Sequence, residues 1–358
     1  MKIVVFGPDR RVGAIHDGGL IVDVSLAHAK LLRERDGERH ATELATAWVP
    51  PDLSRFIERG EAALDAASQC IEYLFHGAHD KLGPRGETVA HPIDTVRLHA
   101  PRPERARIAC AGGNYADHHL AMAKNRPGGR TEAAELTLQG VAASIRTAGF
   151  WGFWKIDRTC LGPDDELSYP TRAQYFDYEG EAAIVIGRQG KNIRAQDWKS
   201  HVWGVTLVCD WSIRQIPDTG RMNFAMQKNF DGSCSLGPCI LVGADATNID
   251  VTTTVSGQAR QSFNTRDMVF SFGECLAFLS RDLTLYPGDI VSGGTAAGTA
   301  QDSSAQIEDG VLSPERFLKV GDIVEVASPQ LGVLRNKVVK AASGAADGRV
   351  QLLPPRAG

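Results

Sequence analysis

The 358-residue sequence contains no apolar stretch approaching 18 residues, so nothing in it reads as a membrane-crossing helix. It has no CxxC pair and no HExxH, which argues against a thiolate zinc site and against a zincin. It has no excess of positive charge: 39 Lys and Arg stand against 43 Asp and Glu, interspersed, for a net charge of −4. That balance builds no field for nucleic acid or an anionic membrane. No strand-like run leads into a glycine-rich phosphate loop and a helix, which argues against a doubly wound sheet. The opening residues, MKIVVFGPDRRVG, lack the apolar core and cleavage site of a signal peptide. The seven cysteines (Cys70, Cys110, Cys160, Cys209, Cys234, Cys239 and Cys275) are odd in number, as expected of reduced thiols. Together these absences predict a cytoplasmic protein.

What is present is the mix of an ordinary globular chain, 43% hydrophobic and 23% charged, long enough for a large core or two domains. Residues 1–26 alternate short apolar runs with glycines and predict an antiparallel meander. Helical periodicity dominates from Ala27 to about Phe75, and proline and glycine thicken between Gly83 and Pro103. The boundary is therefore placed there: a small N-terminal β/α domain over 1–100 and a catalytic domain over 101–358. Beyond it, a helix begins near His118 and breaks at Pro127-Gly128-Gly129, which reads as a cover over a pocket. The aromatic run GFWGFWKIDRT reads as core. From Tyr178 onwards strand signals prevail, FSFGECLAFLSRD being the clear helix, and Gly-Asp-Ile-Val recurs at 288–291 and 321–324 as a tight turn feeding a strand. The fold class is mixed α/β, mostly β, with the strands closed or rolled to protect their edges.

The chemistry concentrates in QYFDYEGEAAIVIG, residues 174–187, where a strand-like apolar run is entered through Asp177, Glu179 and Glu181. Side chains two apart on a strand share a face, so these carboxylates crowd one another. Either they lie on a solvated edge or a divalent cation sits between them. Asp210, ending the run VTLVCD, reads alone as a strand-end turn acid, His118 alone as structural, and the spaced pair His76 and His79 as a surface pair.

Seven stretches in order carry a family resemblance: NYADH at 114–118, DYEGEAAIVIG at 177–187 and GVTLVCDWSIR at 204–214, then QKNFDGSCSLGPCILVG at 227–243. They continue with QSFNTRDMVFSF at 261–272, LYPGDIVSGGTAAG at 285–298 and LKVGDIVEVASPQLGVLRNKV at 318–338. Over roughly residues 105–340 the chain resembles the fumarylacetoacetate hydrolase family. The resemblance implies a C-terminal β roll behind a smaller N-terminal domain, and a homodimer. It implies Mg²⁺, or in some members Mn²⁺ or Ca²⁺, held by Glu179, Glu181 and Asp210, whose hard oxygens suit such ions. It implies His118 as general base, Lys228 steadying a carboxylate or developing oxyanion, and Thr295 with Gly294 holding the substrate carboxylate. Tyr115 and Arg214 are further substrate contacts, Gln227 and Asn264 weaker ones, and Asp177 is not expected to be a ligand.

The expected function is divalent-metal-dependent hydrolysis of a carbon–carbon bond in an acylpyruvate or β-diketone. The alternative is a hydratase, dehydratase or decarboxylase on a 2-oxo acid such as a 2-keto-3-deoxy sugar acid. Three departures bear on the choice. Ala121 stands where small family members carry a glutamate that pairs with the histidine, so either a more distant acid orients His118 or its water-activating role is weakened. Gln215 and the segment IPDTGRMNFAM differ from the usual pattern beside Lys228. Ala296 replaces the proline of the family's GTPxG.

Overall fold

The computed structural model describes residues 1–342 except 18, 78, 126–134, 157, 216–222 and 309–310. The break at Pro127-Gly128-Gly129 and most of the divergent segment after Gln215 thus lie outside the described residues.

The glycine-punctuated start forms β1 (Lys2–Phe6), β2 (Arg11–His16) and β3 (Leu20–Asp23), paired antiparallel in sequence. The helical stretch becomes α1 (Val24–Glu34), α2 (Ala41–Trp48), α3 (Leu53–Arg59) and α4 (Glu61–Phe75). Asp23 starts α1 by accepting the Leu26 amide, and Asp52 does the same for Arg55 at α3. There follow β4 (Ala90–Pro92), β5 (Leu98–His99), β6 (Ile108–Ala111), α5 (Ala116–Lys124), α6 (Leu138–Ala148) and β7 (Gly152–Lys155).

The strand-rich half contributes β8 (Glu166–Ser168), β9 (Tyr175–Asp177), β10 (Gly180–Ile186), β11 (Val202–Asp210) and β12 (Ser212–Gln215). After α7 (Phe224–Gln227) come β13 (Cys234–Val242), β14 (Asp250–Val255), β15 (Gln258–Asn264), α8 (Phe272–Leu279), β16 (Ile290–Ser292) and α9 (Ala300–Ser303). The chain closes with β17 (Gln306–Glu308), β18 (Val311–Leu312), β19 (Ile323–Ser328) and β20 (Gly332–Val339). Ser271 and Glu274 cap α8 reciprocally, which fixes its start where the sequence predicts a helix.

One large sheet runs β4-β3-β2-β1-β13-β11-β10-β16-β6-β7, with β5 also on β1. A second runs β15-β14-β19-β20-β8. The β1–β13 pairing, Lys2 opposite Leu241 and Ile3 opposite Ile240, joins the N-terminal meander to the C-terminal ladder. Strand β10 lies between β11 and β16, and its alternation sorts cleanly. Ala182, Ile184 and Ile186 face the core shared with Val251, Val324 and Val326 of the second sheet. Ala183 and Val185 face Phe56, Ile57, Ala63 and Ala67 of the N-terminal helices. A strand covered on both faces needs an unbroken apolar run, which is why GEAAIVI shows no polar face beyond its first glutamate. The architecture is the expected one: mixed and mostly β, with large sheets after a smaller helix-and-strand region.

Candidate metal and catalytic site

The acids of residues 177–181 do not share one strand. Asp177 ends β9, while Glu181 belongs to β10, and the chain steps from one ladder to the other between them. Gly180 sits at that step, where a Cβ would approach the Thr253 hydroxyl oxygen to 2.1 Å, so only glycine lets β14 pack over the turn. Asp177 stands outside the carboxylate triad and shares Arg214 with Glu179. It accepts the amides of Ala300 (2.7 Å), Gln301 (3.0 Å) and Tyr178 (2.8 Å), together with Arg214 Nε (2.7 Å). Its part is to tie α9 and Arg214 to the sheet.

Glu179 and Glu181 do converge with Asp210. The Asp210 amide donates to the Glu179 carbonyl (2.9 Å), and ligand-capable oxygens of all three carboxylates lie within 4.8 Å of one another. All are buried. The solvated-edge reading is thereby excluded for these two glutamates.

The cations around this cluster are also buried. Lys228 Nζ donates to Glu179 (2.6 Å), Asp210 (2.8 Å) and the Ser212 hydroxyl (2.6 Å). Arg214 bridges Asp177 and Glu179. Lys155, its side chain fully buried, donates to Asp210 and to the Ser233 carbonyl (2.6 Å). Burial alone would raise the Glu179 pKa, but the Lys228 and Arg214 charges outweigh it and hold the carboxyl well below its usual range. Glu181 goes the other way: burial first, then the charges of Asp210 and Glu179, push its pKa well above the carboxylate range. Its described hydrogen-bond partner is the Ser292 hydroxyl, a neutral donor.

Among the described residues four carboxylates thus face three cations, and the one without an ion pair is a member of the triad. A buried carboxylate in that position either keeps its proton or has a metal beside it. Three converging carboxylates fit a hard divalent cation of the Mg²⁺ or Mn²⁺ kind.

His118 lies in the first turns of α5, where Ala121 offers it nothing. Its Nδ1 instead meets Asp302 Oδ2 of α9 at 2.7 Å, across 184 residues of sequence. Asp302 is pinned by the Gly298 amide (3.0 Å) and the Ser303 hydroxyl (2.9 Å). His118 is also near enough to Glu179 to help lower its pKa.

Thr295 is buried, donating to the Gly180 carbonyl (2.9 Å) and accepting from Gln261 (2.7 Å). Gly294 has φ +86°, and a Cβ there would meet the Ala111 carbonyl at 2.8 Å. Tyr115 is buried edge-on against Phe263. Gln227 donates to the Arg214 carbonyl (2.7 Å), whereas Asn264 bonds Asn248 and Asp250 on the second sheet.

Two participants escaped the sequence reading. Asp302 carries a helix-start signature, Thr299-Ala300-Gln301-Asp302, and the Thr299 hydroxyl does accept its amide (3.2 Å). That signature places a helix end and says nothing of a histidine opposite. Lys155 sits inside the aromatic run read as core. Alternation along β7 puts it on one side with Phe153, whose ring lies 5.1 Å from Lys228 Nζ.

Residues 107–339 match the model of the fumarylacetoacetate (FAA) hydrolase C-terminal family. The human oxaloacetate tautomerase FAHD2A, mitochondrial, is 33% identical over 297 residues, 81% of this chain and 81% of its own length. The oxaloacetate tautomerase YisK of Bacillus subtilis is 29% identical over 324 residues, 89% of this chain and 95% of its own. Among solved structures, fumarylacetoacetate hydrolase from psychrophilic Exiguobacterium antarcticum aligns with a TM-score of 0.65 at 25% identity, over 95% of this chain and 99% of that one. A maleylpyruvate hydrolase from Sphingobium sp. SYK-6, in complex with manganese(II) and pyruvate, shares the fold with a TM-score of 0.63 at 23% identity, over 96% and 100%.

These findings correct two expectations. Carbon–carbon hydrolysis does not stand as the activity, because human and bovine relatives 33% identical over 81% of this chain are oxaloacetate tautomerases by name. The motifs that carried the resemblance build a carboxylate cluster that fits a divalent ion, which tautomerisation and hydrolysis would both use, so they do not separate the two. The cytoplasmic placement does not stand either, since the human, rat, bovine and Xenopus relatives are mitochondrial proteins by name. Unpaired cysteines and a balanced charge are compatible with several compartments and single out none.

Proposed function

Because the chain belongs to the fumarylacetoacetate hydrolase family, we propose that it is a metal-dependent tautomerase of a small 2-oxo acid, oxaloacetate or a close analogue, interconverting its enol and keto forms. The observation that carries this reading is the pairing of His118 with Asp302 beside the carboxylate triad, in a chain 33% identical to an oxaloacetate tautomerase. Glu179, Glu181 and Asp210 would hold the ion. When bound, a divalent ion supplies polarisation of the 2-oxo carbonyl and stabilises negative charge on its oxygen.

Tautomerisation moves one proton between the enol oxygen and the neighbouring carbon, and adds or removes nothing else. It needs a group that takes a proton and returns it, and no activated water. A carboxylate only accepts, so Asp302 fixes the hydrogen of His118 on Nδ1 and leaves Nε2 as the basic atom. The mobile proton is taken up and given back there. Lys228, raised in pKa by Asp210 and Glu179 against the opposing effect of burial, stays charged and favours the enolate. With the four clustered carboxylates and Asp302 ionised, three side-chain cations and a divalent ion would balance the five negative charges. Homodimerisation belongs to this reading as an expectation of the family.

The test is the ultraviolet decay of enol-oxaloacetate with metal-stripped protein and after Mn²⁺ is restored. Metal-dependent acceleration over buffer, lost in His118→Gln, is the expected result. A decay rate equal to that of Mn²⁺ alone would overturn the reading.

A further inference from the structure

Two thiols outside the proposed reaction lie against each other next to the metal triad. After β7 the chain runs along the start of β13: the Leu161 amide donates to the Cys234 carbonyl (2.9 Å), and the Leu236 amide to the Leu161 carbonyl (2.9 Å). Leu161 and Ser235 form a parallel bridge. One residue back in the same register, Cys160 stands beside Cys234, and the nearness of its thiol, with burial, pushes the Cys234 pKa up. Neighbouring strands lie about 4.8 Å apart, and disulfides span Cα separations of about 4.4–6.8 Å. In-register neighbours on parallel segments project to the same side, so the two sulfurs need no change of backbone path to meet.

Access is one-sided. Cys234 is fully buried, while Cys160 is half-buried and lines a cavity of about 1090 Å³ between the β1–β2 turn, the start of α3 and β7. That cavity is also walled by Arg102, Arg105 and Arg158. A small oxidant therefore reaches Cys160 first, with Cys234 behind it.

We propose that Cys160 and Cys234 form a reversible oxidation site, in which a peroxide converts the pair to a disulfide. The Cys160 sulfur attacks one peroxide oxygen, the O–O bond breaks, and a sulfenic acid and one water result. The Cys234 sulfur then attacks the Cys160 sulfur, the S–O bond breaks, the S–S bond forms, and a second water leaves. The thiols lose two electrons and two protons, and the peroxide is reduced to two waters. The bridge pins the segment after β7 to β13, whose Cys234 lies opposite Asp210 and whose preceding Ser233 carbonyl holds Lys155.

The test treats the folded protein with hydrogen peroxide, blocks remaining thiols with iodoacetamide, and maps peptides by mass spectrometry. The expected result is a Cys160–Cys234 cross-linked peptide, two hydrogens lighter than its reduced parts, which disappears on adding dithiothreitol. In Cys160→Ser, which changes a half-buried position, Cys234 stays reduced at the same peroxide dose. Cross-linking to Cys110 or Cys209 instead would overturn the assignment. So would Cys160 advancing to sulfinic acid, or resisting oxidation, while Cys234 remains a thiol that iodoacetamide labels after denaturation.

Discussion

Replacing Lys155 by methionine tests the electrostatics of the site most directly. The side chain is fully buried, donates to Asp210 and Ser233, and keeps its charge because Asp210 outweighs the desolvation that would lower its pKa. Methionine preserves much of the volume and removes the charge. Breaking a buried ion pair from one side costs about 3–5 kcal/mol. Lys228 remains on Asp210, so the lower end, about 3 kcal/mol, is expected for the metal-free protein. At an unfolding entropy of about 2.1 cal/mol/K per residue, this chain loses about 4 °C in Tm. A bound divalent ion replaces part of the lost positive charge, so Mn²⁺ should raise the Tm of Lys155→Met by more than it raises that of the wild type. Scanning calorimetry on stripped and Mn²⁺-saturated samples reads both quantities. Equal metal increments in the two proteins would refute the argument, because they would mean that Lys155 and the ion do not share Asp210.

Glu181→Gln should weaken Mn²⁺ binding about 100-fold by titration calorimetry, since a triad ligand is lost. The same substitution carries a pH signature in the metal-free protein. The folded Glu181 carboxyl holds its proton well above the ordinary value of 4.5, so the folded state binds more protons than the unfolded one. Its contribution to stability is full below pH 4.5 and falls as pH rises through the folded pKa. The wild type should therefore lose stability relative to Glu181→Gln over that range, and parallel curves would contradict the assignment. Asp302→Asn should lower tautomerase turnover about 100-fold with little change in KM, because the imidazole loses its orienting carboxylate; unchanged turnover would remove Asp302 from the mechanism. Gly294→Ala, with φ +86° and a carbonyl 2.8 Å from the new Cβ, should destabilise by about 1–3 kcal/mol in urea unfolding.

The glycine-punctuated meander, the helical stretch to Phe75 and the helix over FSFGECLAFLSRD were legible because each follows from local pattern. The apolar run of β10 was legible as a strand, and the helices and second sheet covering its two faces appeared only in the structure. The triad was legible through two glutamates placed two apart, with Asp210 added by the resemblance.

Other features depend on distance in space. Asp302 meets His118 from 184 residues away, and a capping signature at Thr299 says nothing about which side chain stands opposite. Lys155 looked like one cation in an aromatic strand until β7 paired with β6 at the sheet edge and turned that face towards Asp210. Asp177 stays outside the triad, joined to Glu179 only through Arg214, because the chain changes ladders at Gly180. The sequence by itself determined which segments are strands and that acids crowd one turn. Only the tertiary structure decided which charges neutralise which, because a Coulomb or hydrogen-bond partner is set by a few ångströms of space, and sequence separation carries no information about that.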